Sequence, residues 1–311
     1  RAAGAERADS YPDALCRSLC RKLTAHEQVP QSYVLCGNGA ADLIFRGVLA
    51  KRPKKALLTA PAFAEYEAAL TACGCQVERY LLREDNQFRL EEGFLEAIVP
   101  GVEMVFLCEP NNPTGVTSPR ELLLQVAERC AQCGALLMLD ECFGDFLEHP
   151  EDHTLKGALA QFPHVMILKA FTKLYAMAGV RLGYALCADS ALLEEMREAG
   201  QPWAVSSLAQ AAGEAALEER EYVEQVRRMV AQERPWMVEQ LDSLGMEVVP
   251  GEANYLLFRC RIPLIQPLRE RGILLRSCSN YYGLNETWYR TAVRTHDENI
   301  RLIQALNEVV R

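Results

Sequence analysis

Lys169-Ala-Phe-Thr-Lys173-Leu-Tyr-Ala-Met-Ala-Gly179-Val-Arg181-Leu-Gly183-Tyr184 follows a short apolar run, Val165–Leu168. Apolar surroundings disfavour a charged ammonium and free the lone pair of an amine for nucleophilic chemistry. Taken alone, Lys173 reads equally well as a surface lysine laying its stem along apolar neighbours. The flanking sequence gives the segment its setting. Upstream, the apolar runs Tyr33–Cys36, Ala56–Thr59, Gln76–Leu81, Met104–Cys108 and Leu136–Leu139 read as strands. Between them lie helical patterns over 13–26, Ala40–Ala50, Pro61 to Ala72, and Ser118 to about Cys133, the last with Pro119 in its first turn. Short apolar strands alternating with helices predict an α/β protein whose large domain has a mostly parallel sheet flanked by helices. After about residue 220 the pattern changes. A long charged helix over Glu221–Leu244 precedes strands at Glu247–Val249, Asn254–Phe258, Ile273–Arg276 and Trp288–Val293, a helix near Leu264–Arg271 and a closing helix from Asp297. This predicts a smaller C-terminal α+β domain over 221–311, after a large domain over 31–220.

The chain carries 33 Lys and Arg against 42 Asp and Glu, a net charge of −9. With no basic block it is a poor nucleic-acid binder, so an anionic ligand must be met by a local arginine cluster and not by the overall field. No apolar run reaches the length of a membrane span and no signal peptide is visible. Of the twelve cysteines, Cys130 and Cys133 form one C-x-x-C with no second pair at zinc-like spacing. Cys16 and Cys20 lie four apart on a helical pattern, a packing relation as readily as a chemical one. Others, such as Cys108 and Cys187, sit in apolar strands where a thiol acts as a small hydrophobe. The expectation is a reduced, cytoplasmic protein with no metal site and no disulfide framework.

Five further segments carry possible chemistry. Gly37-Asn38-Gly39-Ala40-Ala41-Asp42 opens a helix, and a helix start with free N–H groups can cradle a phosphate, although an ordinary strand–helix turn looks the same. Pro61-Ala62-Phe63-Ala64-Glu65-Tyr66 offers an aromatic face that serves a ligand or the core. Asn111-Asn112-Pro113-Thr114-Gly115 is a turn after a buried strand. Asp140, before Glu141-Cys142-Phe143, ends a strand and so points into the usual ligand crevice of a parallel sheet. Tyr289-Arg290-Thr-Ala-Val-Arg294 presents guanidinium groups suited to bidentate carboxylate binding.

Together, and in this order, these segments resemble the pyridoxal-phosphate-dependent aminotransferases of classes I and II, of fold type I, across residues 37–294. The resemblance implies a pyridoxal 5'-phosphate cofactor held as a Schiff base on Lys173, with Thr172 and Arg181 on its phosphate beside Gly39 and Ala40. It implies Phe63 stacked on the pyridine ring, Asn112 bonded to the ring 3-oxygen and Asp140 on the ring nitrogen. Arg290 aligns with the arginine that holds the substrate carboxylate. Ala170 stands where relatives often carry serine, and Phe143 lacks the hydroxyl that aminotransferases usually aim at the ring. Tyr11, in Ser10-Tyr11-Pro12-Asp13, resembles the tyrosine that reaches the cofactor phosphate of the neighbouring subunit. This implies a homodimer, with residues 1–30 packing against the small domain and the partner.

Within the family two branches compete, both acting on phosphorylated amines. Phe143, the run Ile273-Leu-Leu-Arg276-Ser-Cys-Ser-Asn280-Tyr-Tyr-Gly-Leu284, and Arg294 in place of a glycine resemble the threonine-phosphate decarboxylases, which make aminopropanol phosphate for the cobalamin side chain. Arg276 is then the candidate for the substrate phosphate. The alternative is a histidinol-phosphate aminotransferase. A more distant one is a non-catalytic effector-sensing domain, which would carry a fused DNA-binding domain.

Overall fold

The computed structural model describes residues 9–310; the first eight residues of the N-terminal segment lie outside the described residues. Among the described residues, eleven strands form two sheets. The first holds β1 (Val34–Gly37), β2 (Lys55–Ala60), β3 (Gln76–Leu81), β4 (Met104–Cys108), β5 (Leu136–Asp140), β6 (Val165–Ala170) and β7 (Gly183–Cys187), in the order β1-β7-β6-β5-β4-β2-β3. The pairs β2–β3, β2–β4, β4–β5 and β5–β6 are parallel, and β7 runs antiparallel to both neighbours. Every residue of β4, β5, β6 and β7 is buried, because helices cover both faces of a parallel sheet.

Successive side chains on a strand point to opposite faces. Val105, Leu137, Leu139 and Ile167 accordingly enter one apolar core with the helices Arg17–Glu27 and Arg120–Cys133. Phe106, Met138, Met166 and Leu168 enter a second core with the helices Ala40–Lys51, Ala64–Ala72 and Ser190–Glu198.

The second sheet is antiparallel. It holds β8 (Glu247–Val248), β9 (Tyr255–Arg259), β10 (Arg276–Ser277) and β11 (Trp288–Ala292) in the order β10-β11-β9-β8. Its own core joins Leu256 and Phe258 to Met237 and Leu241 of the helix Arg220–Ser243 and to Leu302 and Leu306 of the helix His296–Val310. A further cluster ties the two sheets' surroundings together: Leu82, Phe88 and Val116 pack on Leu257, Cys278, Tyr281 and Trp288.

Three details depart from the sequence reading. The first helix begins at Arg17, because Cys16 adopts φ 48 and the Asp13 carboxylate accepts the backbone N–H groups of Leu15 and Arg17 instead. The strand expected over Ile273–Arg276 shrinks to β10, since only Arg276 and Ser277 find partners on β11. Two helices unassigned from the sequence, Ser190–Glu198 and Ser207–Ala216, occupy the stretch after β7; Asp189 and Ser206 cap their first turns with side-chain oxygens. All twelve cysteines are free thiols, and no described helix is long and apolar enough to cross a membrane.

Candidate active site

The carboxyl ends of β1, β2, β4, β5 and β6 lie along one edge of the large sheet. The register places Cys108 beside Asp140, Asp140 beside Leu168, and Gly183 beside both Ala170 and Gly37. Because β7 is antiparallel, it begins where its neighbours end. The loop carrying Arg181 therefore meets the turn after β1. This edge is the crevice in which open α/β sheets bind ligands.

At the β1 end, Gly39 has φ 82 and caps the helix Ala40–Lys51. A Cβ on Gly39 would come within 2.8 Å of Arg181 Nη2, and one on Gly183 within 2.7 Å of the Ala40 backbone nitrogen. Both positions need glycine, one for its positive φ and one for backbone approach. The result is a free helix N-terminus facing a guanidinium, a pairing that suits an anion. Thr172 is buried on the short helix Phe171–Leu174 that follows β6.

Lys173 lies on the same short helix. It is exposed, and its Nζ stands 5.2 Å from the Phe143 ring centre. Phe143 meets Tyr255 edge-on at 4.9 Å, and Tyr255 underlies the Arg290 guanidinium at 5.0 Å. Arg290 Nη1 donates to Asn112 Oδ1, which also accepts the Tyr281 hydroxyl at 3.3 Å. Arg276 sits 5.9 Å from the Tyr281 ring centre and donates to Asn280 Oδ1 at 3.1 Å. A continuous run of contacts thus links Lys173 to Arg276 across the two sheets.

Asp140 is 5 % exposed. Its carboxylate accepts the Tyr66 hydroxyl at 2.6 Å and the Cys142 N–H at 3.0 Å. Burial, and then the Asp140 charge, push the Tyr66 hydroxyl well above its usual range, so it stays protonated and donates. Tyr66 stacks on Phe106 at 4.9 Å and meets Phe63 edge-on at 5.6 Å, which leaves Phe63 half-buried at the crevice rim. A buried carboxylate served by two neutral donors is poorly compensated without a cation. Beside Phe63 a cleft of about 330 Å³ opens between Arg79, Asn280, Tyr281 and Tyr282.

The structure therefore brings Lys173, Asp140, Phe63, Asn112, Arg290 and Arg276 to one crevice, with Gly39, Ala40, Thr172 and Arg181 at its end. Tyr11 is apart from them: it is 82 % exposed and its ring lies 4.8 Å from that of Trp203. Three tyrosines of the site went unassigned from the sequence. Tyr66 belongs to the quoted segment 61–66 and Tyr281 to the run 273–284, but nothing local marks Tyr255.

A family model for class I and II aminotransferases matches residues 8–306. The chain belongs to the class I and II aminotransferase family. This aminotransferase-family chain is 40% identical to the threonine-phosphate decarboxylase of Salmonella typhimurium, over 97% of this chain and 84% of that protein. It is 34% identical to a histidinol-phosphate aminotransferase of Desulfitobacterium hafniense, over 97% and 84% of the two chains. Among solved structures it resembles the histidinol-phosphate aminotransferase from Clostridium acetobutylicum, with a TM-score of 0.92 and 25% identity over 99% of this chain and 92% of that one.

Proposed function

We propose that this enzyme uses pyridoxal 5'-phosphate to decarboxylate L-threonine O-3-phosphate, giving aminopropanol phosphate and carbon dioxide. The observation that carries the reading is a pair of guanidinium groups. Arg276 and Arg290 are direct partners across the antiparallel pair β10–β11, so their side chains leave the same face. Like charges directly opposite are destabilising. Each bonds an amide oxygen, Asn280 or Asn112, and among the described residues neither bonds a carboxylate. In a chain of net charge −9, two adjacent guanidiniums so placed suit a ligand with two anionic groups. Threonine phosphate has a carboxylate and a phosphate; histidinol phosphate has only the phosphate. The 40% likeness to a threonine-phosphate decarboxylase points the same way.

The residues at the crevice fit the cofactor. Its phosphate would lie between the N–H groups at Gly39 and Ala40, the Thr172 hydroxyl and Arg181. Phe63 would cover the ring and Asn112 would reach its 3-oxygen. Asp140 would meet the protonated ring nitrogen, supplying the cation that its carboxylate lacks. When bound, pyridoxal phosphate supplies an electron sink for the pair left when a bond to the substrate α-carbon breaks. Arg290 would hold the substrate carboxylate and Arg276 the phosphate, and this two-point grip fixes which α-carbon bond is presented for cleavage. The Lys173 amine would deliver a proton to the α-carbon once carbon dioxide has left. Phe143 offers no competing hydroxyl beside Lys173. In a dimer, Tyr11 of one copy would reach the cofactor phosphate of the other.

The test is carbon dioxide release from threonine phosphate by wild type, Arg276→Ala and Arg290→Ala. Removing a hydrogen bond between charged groups costs roughly 1.5–3 kcal/mol, so kcat/KM should fall at least about tenfold in each variant. Wild type that releases no carbon dioxide yet transaminates histidinol phosphate with 2-oxoglutarate would overturn the decarboxylase reading in favour of an aminotransferase.

A further inference from the structure

Not every cavity formed by the described residues lies at the crevice. One of about 390 Å³ lies between the N-terminal end of the helix Arg17–Glu27, β1 and the loop after the helix Ser190–Glu198. Its lining includes Cys16, Cys20 and Cys36 together with Arg46 and Arg197. The Cys20 and Cys36 sulfurs touch at 3.7 Å across the interface between that helix and β1. Cys20 is 6 % and Cys36 7 % exposed, so both are covered by protein except where the cavity reaches them. Arg46 is 4 % exposed. Its Nε donates to Asp42 at 3.0 Å, while its Nη2 has no hydrogen-bond partner among the described residues. Glu194 and Glu198 line the same cavity, and Arg197 is paired with Glu194.

We propose that Cys20 and Cys36 are a site of oxidative modification, a dithiol that hydrogen peroxide entering this cavity converts to a disulfide. Two features of the sulfur chemistry suit Cys20 as the attacking sulfur. The hydrogen bond from Cys36, with Arg197 adding to it, holds the Cys20 thiol below its ordinary range despite burial. Cys36 is pushed well above its own range by its thiol neighbours Cys16 and Cys20 and by burial, so it remains a thiol and a donor. Thiolate character and access decide which cysteine oxidises. In the first step the Cys20 thiolate attacks one peroxide oxygen. The S–O bond forms, the O–O bond breaks, and hydroxide leaves, taking up a proton to become water. In the second step Cys36 sulfur attacks the Cys20 sulfenic sulfur; the S–S bond forms, the S–O bond breaks, and the hydroxyl leaves with the Cys36 proton as a second water. Both thiols are oxidised and one peroxide is reduced. The product would pin the helix Arg17–Glu27 to β1, one residue before the Gly37–Gly39 turn.

The experiment uses the full chain loaded with pyridoxal phosphate. It is treated with hydrogen peroxide, blocked with N-ethylmaleimide, digested without reductant and mapped by mass spectrometry. The expected result is a Cys20–Cys36 linked peptide that dithiothreitol removes and that survives in Cys16→Ser. In Cys36→Ser the link should be absent and dimedone should label Cys20. A link between Cys16 and Cys36, label spread over other cysteines, or no linked peptide from wild type would overturn the proposal. Because the readout is covalent mass and not turnover, its failure is distinct from a failure of the decarboxylase reading.

Discussion

Lys173 and Asp140 occupy opposite kinds of environment. Lys173 is exposed beside a Phe143 ring that offers no hydrogen bond. If it forms the covalent link to the cofactor, Lys173→Ala should yield no borohydride-trapped adduct; a reducible adduct in that variant would move the assignment to another lysine. Asp140 is buried and takes its shortest hydrogen bond from Tyr66. Removing one hydrogen bond to a charged group costs about 1.5–3 kcal/mol. Tyr66→Phe should therefore keep the fold, shown by an unchanged far-UV circular dichroism spectrum with a melting temperature lowered by a few degrees, and lose at least about tenfold in kcat. Full activity in that variant would mean the phenol is only packing.

At the scale of elements, the helix Arg17–Glu27 is anchored to the sheet by its last residue. Glu27 is 2 % exposed, accepts Lys156 Nζ at 3.1 Å, faces Lys169 Nζ at 3.6 Å and receives the Tyr184 hydroxyl. Lys169 on β6 is cross-strand partner to Tyr184 on β7, so one carboxylate ties the helix to two strands next to the Lys173 segment. Burial alone would raise the Glu27 carboxyl, but Lys169 and Lys156 overcome it and hold it at about 2, against 4.5 unperturbed. A carboxyl depressed in the folded state contributes fully above its unfolded value, and the contribution fades as pH falls toward the folded one. Glu27→Gln should thus destabilise the protein by on the order of 3 kcal/mol at neutral pH. The gap in melting temperature from wild type should narrow as pH falls from about 4.5 toward 2. A gap that is constant over that window would show that Glu27 acts through packing and not through charge.

For the whole molecule, the crevice is assembled from two sheets that the chain reaches at distant points. Phe88 packs edge-on to Trp288 at 5.4 Å, and the cluster around them holds β11, with Arg290, against the loops of the large sheet. The proposed dimer extends that assembly beyond one chain. Tyr11 lies tilted against Trp203 at the surface, apart from its own crevice. Tyr11→Ala should leave the melting temperature of the cofactor-free chain unchanged while the dimer loses pyridoxal phosphate at least about tenfold faster on dialysis, as expected when one charge-assisted hydrogen bond is removed. Unchanged retention by a species that sediments as a dimer would remove Tyr11 from the neighbouring site.

The strands and the helices between them follow from local sequence, because periodicity and turn residues act over a few neighbours. Gln76–Leu81 and Met104–Cys108 match in structure what their patterns predict. Lys173, Asp140, Asn112 and Arg290 stand out as candidates for a different reason: they sit in short segments with a family's spacing. Other features exist only in the assembled fold. Tyr255 has no motif and enters the crevice only because β9 pairs with β11, which sets it beneath Arg290. The Arg276–Arg290 pairing depends on strand register. Cys20 and Cys36 meet because a helix packs on a strand sixteen residues away. Such meetings are fixed by the burial of apolar faces that lie far apart along the chain, and no local pattern encodes them.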